Sequence, residues 1–318
     1  MLTRTIVSAG LLLCAAALPA QDSKKKQSSP EPTVANYIYG TDSERQKFDF
    51  WQAESDEPTP VVLLIHGGGW VAGDKSGYRR SAQTYLQEGI SVAAINYRFI
   101  AQAMEQGVEP PVKAPLYDAA RALQTIRSKA EEWNIDPNRI GATGSSAGAC
   151  TSLWLALHDD LADPNSDDPI ARQSTRLTCA AVLNAQTSLD PKQLLVWMPN
   201  AIYGGHAFGF AKKGRSRAEE FKLLVKNREE VLPWIKEYSP IELVSKDDPP
   251  IFMGYPRQTK PPKIGQIEKD PTHSALYGVQ LAKKLKQAGV PVVLSYRGHE
   301  SEKYDSATDF LITTLKGE

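Results

Sequence analysis

The chain has 318 residues, 41% of them apolar, with 22 glycines and 22 prolines, a globular composition long enough for one large α/β domain or two small ones. Lys and Arg total 37 and Asp and Glu total 37, so the formal net charge is zero and gives no overall attraction to nucleic acid or to an anionic membrane. The partner this balance favours is neutral or small.

Residues 1–20 read as a signal peptide: Arg4 supplies the positive start, residues 6–18 the apolar centre, and Pro19-Ala20 precede polar Gln21. The expected location is therefore secreted or periplasmic. The apolar stretch falls short of the roughly 20 residues that span a bilayer, so no membrane span is expected. Lipid attachment at Cys14 ranks below simple cleavage, because Leu13 is bulky where a small residue would precede such a cysteine. Residues 21–36, with three consecutive lysines from Lys24 and prolines at 30 and 32, read as a flexible linker.

From residue 37 onward strands and helices alternate. The short apolar runs 61–65, 91–95, 140–143, 180–184, 251–255 and 292–296 suit parallel strands covered on both faces. Between the second and third, Ala119, Leu123, Ile126, Ala130 and Trp133 form one helical stripe, expected to begin just after Pro115. A second helix carries Gly278, Leu281, Leu285 and Ala288 and stops at Gly289-Val290-Pro291. The alternation predicts one open, mostly parallel sheet with helices on both faces. Residues 187–248 break the rhythm after a strand, at the sheet edge where ligands bind, and read as a cap insertion in a single 37–318 domain. Cys150 and Cys179 are expected at opposite ends of neighbouring elements, too far apart for a disulfide, and so to be free thiols.

Two glycine strings carry the chemistry. Gly144-Ser145-Ser146-Ala147-Gly148 follows a predicted strand and precedes a predicted helix, the setting in which a serine is thrust out on a strained turn. His66-Gly67-Gly68-Gly69-Trp70 also follows a strand. Its glycines formally satisfy a dinucleotide fingerprint, but Trp70 blocks close approach of a pyrophosphate and no acid ends the next strand. Backbone N–H groups facing an oxyanion suit it better. Of five histidines, His299 follows the last predicted strand and is the expected base. Asp270, after the strand 251–255, is the expected orienting acid, with Asp190 second and Glu268 third. The histidines and cysteines lack zinc-site spacings, so neither a metal nor a cofactor is expected.

With these motifs the chain resembles the α/β-hydrolase superfamily, in which the order is Ser, Asp, His. It is most similar to exported esterases of the feruloyl- and acetylxylan-esterase type, and also resembles the hormone-sensitive-lipase type. The resemblance implies an α/β-hydrolase fold and a serine carboxylesterase. Ser146, Asp270 and His299 would be catalytic, with Gly68, Gly69 and Ala147 at the oxyanion. Trp70 and Ser145 would contact substrate, a small-molecule or carbohydrate ester. The same machinery hydrolyses amides, so an arylformamidase or small peptidase is the first alternative, and a non-catalytic binding module on this scaffold the second.

Overall fold

The computed structural model describes residues 29–318; the signal peptide, Cys14 and the start of the linker lie outside these described residues. In chain order the elements are β1 Val34–Ile38, β2 Lys47–Trp51, β3 Thr59–Ile65, α1 Arg79–Leu86, β4 Ser91–Ile95, α2 Ile100–Glu105, α3 Lys113–Ser128, β5 Ile135–Ser145 and α4 Ala147–Leu157. They continue with β6 Cys179–Leu183, α5 Pro191–Trp197, α6 Arg217–Lys226, α7 Leu232–Tyr238, β7 Ile251–Tyr255, α8 Leu276–Ala288, β8 Val292–Tyr296 and α9 Ala307–Lys316. Among the described residues no helix is long and apolar enough to cross a membrane.

The strands form one eight-stranded sheet in the order β1-β2-β4-β3-β5-β6-β7-β8. β1 and β2 are antiparallel and every pair from β3·β4 to β7·β8 is parallel. Alternation along β3 divides the core, since successive strand residues face opposite sides. Val61, Leu63 and Ile65 pack with α3 and α4, while Val62 and Leu64 pack with α1 and α9. The apolar runs read from sequence coincide with β4, β7 and β8 and lie within or against β3, β5 and β6.

Two features differ from the sequence reading. The expected linker ends early: residues 34–36 already belong to β1, and the Trp51 indole N–H donates to the Pro30 carbonyl at 3.0 Å. An edge strand held by backbone pairing needs little apolar burial, so polar residues there hide it. Helix α3 also starts ahead of Pro115 and keeps that proline in its first turn, where no intrahelical N–H is lost. Cys150 and Cys179 are buried free thiols.

The turn from β5 into α4 packs backbone against backbone at the end of β3. Ser146 has φ 55° and ψ −124°, a conformation that costs a non-glycine residue on the order of 1–3 kcal/mol. The first turn of α4 presses on the end of β3: a Cβ on Gly148 would lie 2.0 Å from the Ile65 carbonyl oxygen, and one on Gly144 2.5 Å from the same atom. Both contacts are backbone, so no side chain can move aside. Gly148→Ala is expected to lower stability by about 3 kcal/mol or more, read as a fall in Tm; an unchanged Tm would show that the contact yields.

Candidate active site

At the C-terminal edge of the parallel strands the glycine string after β3 and the segment after β7 meet the turn that carries Ser146. Its N–H donates to the Leu183 carbonyl at the end of β6 (3.0 Å), which fixes the turn across the neighbouring strand. The Ser146 hydroxyl lies 3.0 Å from His273 Nε2, and His273 Nδ1 lies 2.8 Å from Asp270 Oδ2. A carboxylate only accepts, so Nδ1 carries the proton and Nε2 is left to accept from the serine. This chain of hydrogen bonds can draw the proton from Ser146 and return it to a departing group.

The imidazole is therefore supplied by His273, and the expectation of His299 is corrected. His299 is exposed on a turn that folds back on β8: its N–H donates to the Tyr296 carbonyl (2.8 Å), Tyr296 N–H donates in return (3.1 Å), and the two rings stack at 5.1 Å. Gly298, at φ 83°, closes that turn and directs the ring over Tyr296 instead of toward Ser146. His273 stands three residues beyond Asp270, ahead of α8. The Asp-x-x-His spacing is present in the sequence, and both residues follow the same strand, β7.

Asp270 is about two-fifths exposed and also has the Arg257 guanidinium 3.7 Å away. The two other acids are committed elsewhere. Asp190 accepts from Lys192 N–H at the start of α5 and pairs with Arg228 at 2.6 Å. Glu268 accepts from the Gln258 side-chain amide at 3.2 Å.

The glycine string crosses directly over the Ser146 turn. A Cβ on Gly67 would lie 2.5 Å from the Ser145 carbonyl and 3.5 Å from Ser146 Cβ. Gly68 (φ 105°), Gly69 (φ 61°) and Trp70 (φ 57°) then turn the chain back, with Val71 and Ala72 N–H donating to the Gly68 carbonyl. Among the described residues the N–H groups of Gly68, Gly69 and Ala147 have no protein acceptor.

His66 braces this loop. Its Nδ1–H donates to the Gly67 carbonyl (2.8 Å), Nε2 accepts from the Arg45 guanidinium (3.3 Å), and its ring stacks on Tyr97 at 4.2 Å. The Tyr97 hydroxyl in turn donates to the His66 carbonyl at 2.7 Å. Burial and Arg45 lower the His66 pKa to about 4, so the ring is neutral and takes no part in proton transfer at pH 7. Arg45, just before β2, carried no motif that could have announced it.

Two expected substrate contacts are also corrected. Trp70 is fully buried; its indole N–H donates to Thr151 Oγ1 on α4 (3.0 Å) and its ring is covered by Tyr203 and His206. The left-handed backbone at Trp70 turns its side chain into the core, where it anchors the loop instead of lining an open pocket. Ser145 lies one residue before Ser146 and faces the other side of the sheet, lining a cavity of about 220 Å³ with Tyr85 and Thr308.

The 187–248 segment contributes α5, α6, α7 and a 3₁₀ turn carrying His206, which docks on the Gly69-Trp70 corner. His206 is wholly buried, 4.9 Å from the Tyr203 ring and 5.9 Å from the Trp70 ring. Burial first, then the charge of Arg217, lower its pKa to about 3. Arg217 reaches the same corner, 3.6 Å from the position of a Cβ on Gly69, while pairing with Glu220 at 2.9 Å.

The BD-FAE family model matches residues 49–258. Gut esterase 1 of Caenorhabditis elegans is 37% identical over 105 residues, 32% of this chain and 19% of that protein, so the chain spans about a fifth of that relative's length. Among solved structures, an acetyl ester-xyloside bifunctional hydrolase from Caldicellulosiruptor lactoaceticus aligns with TM-score 0.57 and 25% identity over 79% of this chain and 76% of its own. A truncated carbohydrate esterase from gut microbiota aligns with TM-score 0.63 and 20% identity over 88% and 95%. The architecture is that of the α/β-hydrolase fold.

Because the unfolded imidazole takes up a proton near pH 6.5 that the buried His206 refuses until about pH 3, stability is expected to fall as pH drops through this interval. His206→Phe removes that contribution, so the Tm difference between pH 7 and pH 4 should be smaller in the variant. Equal differences would show that His206 does not carry the effect.

Proposed function

The chain belongs to the BD-FAE family, and from that membership and the site geometry we propose that it is a serine carboxylesterase working through Ser146, His273 and Asp270. The observation that carries the reading is the unbroken Ser146–His273–Asp270 hydrogen-bond chain on a strained turn. Ser146 Oγ attacks the ester carbonyl carbon as His273 Nε2 takes its proton, and Asp270 holds the tautomer and stabilises the imidazolium. The C=O π pair moves to oxygen, where the N–H groups of Gly68, Gly69 and Ala147 supply donors. Each such donor is typically worth about 3–4 kcal/mol. Collapse expels the alcohol, which takes the proton from His273 and leaves an acyl-Ser146. Water, deprotonated by the same imidazole, releases the acid and restores the serine.

The substrate class we assign is small soluble or carbohydrate-linked esters, supported by the acetyl ester and carbohydrate esterase neighbours. Export through residues 1–20 fits such substrates and belongs to the same proposal.

Ser146→Ala and His273→Ala are each expected to lower kcat on 4-nitrophenyl acetate by at least about 10⁴-fold, with circular dichroism unchanged. His299→Ala should leave kcat within about twofold, as is usual for an exposed side chain away from the chemistry. Activity that survives His273→Ala and disappears in His299→Ala would overturn the assignment of the base. A matched anilide hydrolysed faster than the ester would redirect the reading to an amidase.

A further inference from the structure

The loop between β7 and the Asp270-His273 segment carries Arg257, Lys260, Lys263 and Lys269, all exposed. Against them stand two carboxylates, Glu268, which accepts from the neutral Gln258 amide, and Asp270 next to the loop, which accepts from His273, so the cations outnumber the acids two to one. Among the described residues the three lysines make no ion pair, and the Arg257 guanidinium lies 3.7 Å from Asp270 and 3.5 Å from His273 Nδ1. A chain of zero net charge thus gathers an excess of positive charge in the loop next to its imidazole, with Arg257 and Lys269 facing the same cavity as His273.

The loop is held in place. Gly265 N–H donates to the Trp197 carbonyl at 2.9 Å, the Asn200 side chain bonds the Glu268 backbone at both its N–H and its carbonyl, and the Gln258 side-chain Oε1 accepts from Ala275 N–H. Beside the imidazole lies a cavity of about 400 Å³ whose lining includes Arg257, Glu268, Lys269, Asp270 and His273.

The direction of the chemistry says what occupies this side. The imidazole that deprotonates Ser146 must hand the proton to the departing alkoxide, so the alcohol lies beside His273. On this basis, and resting on the esterase reading above, we propose that the 257–269 loop is a leaving-group subsite for alcohols bearing fixed negative charge, carboxylate or sulfate, such as acidic saccharides. An anionic alcohol approaching His273 meets Arg257 and Lys269 at the cavity wall and the field of Lys260 and Lys263 around it. Fields of this kind act within a Debye length, about 8–10 Å at 0.1–0.15 M salt, and are quenched above it.

The test compares kcat/KM on three acetylated oligosaccharides, one with uronate carboxylates, one sulfated and one neutral, with 4-nitrophenyl acetate as reference. In the wild-type enzyme at low salt an acidic substrate should exceed the neutral one by about tenfold, and the favoured arm tells carboxylate from sulfate. The variant K260E/K263E, which leaves the cavity wall intact, should lower that ratio at least threefold while keeping activity on 4-nitrophenyl acetate, and about 0.5 M NaCl should bring it to about one in the wild-type enzyme. A ratio of one in the wild type, or a preference that survives both the variant and the salt, overturns the subsite. Should the glutamates unfold the protein, the wild-type salt titration makes the decision alone. Failure to cleave any of these esters, 4-nitrophenyl acetate included, overturns the esterase reading instead.

Discussion

The contact between the first turn of α4 and the end of β3 governs the geometry of the site. Gly144 and Gly148 let backbone meet the Ile65 carbonyl at distances no side chain permits. That approach holds the strained Ser146 against the segment that leaves β3, so the next residues, His66 to Trp70, have to pass over the serine. One close approach thus brings hydroxyl and backbone donors together. The strain at Ser146 is held by the sheet through the Leu183 carbonyl and by α4 through Cys150 N–H, which donates to the Ser146 carbonyl.

Around this contact the loop is braced from both sides. From beneath, His66 is locked as a neutral ring between Gly67, Arg45 and Tyr97. From above, the 187–248 insertion sets His206 and Arg217 on the Gly69-Trp70 corner, and Trp70 ties that corner to α4 through Thr151. Both braces use imidazoles that burial keeps uncharged. The insertion is thus packed into the loop that faces Ser146 and does more than cover it.

Most of the architecture was legible because buried parallel strands must be continuous apolar runs and helices must carry a stripe. The antiparallel β1 and β2 were not, since an edge pair stabilised by backbone bonds and by aromatic stacking such as Tyr37 on Phe48 leaves a mixed pattern. At the site, Ser146 and the glycine loop could be read from local chemistry alone, because their constraints are local. The base could not. Whether His273 or His299 reaches Ser146 depends on how two loops fold back over the sheet, and Gly298 turns the second one away. Arg45, His206 and Arg217 were equally silent, because each acts through a contact that no periodicity encodes.

The placement of Asp270 and His273 three residues apart has a mechanical consequence. In an arrangement with serine, acid and base on three loops, two separations must be kept in register as the protein fluctuates. Here acid and imidazole move as one short segment at the foot of α8, so a single separation, from that segment to the β5–α4 turn, sets the geometry. The turn after β8 is left outside this constraint, and sequence change there can alter the rim of the molecule without detuning its proton path.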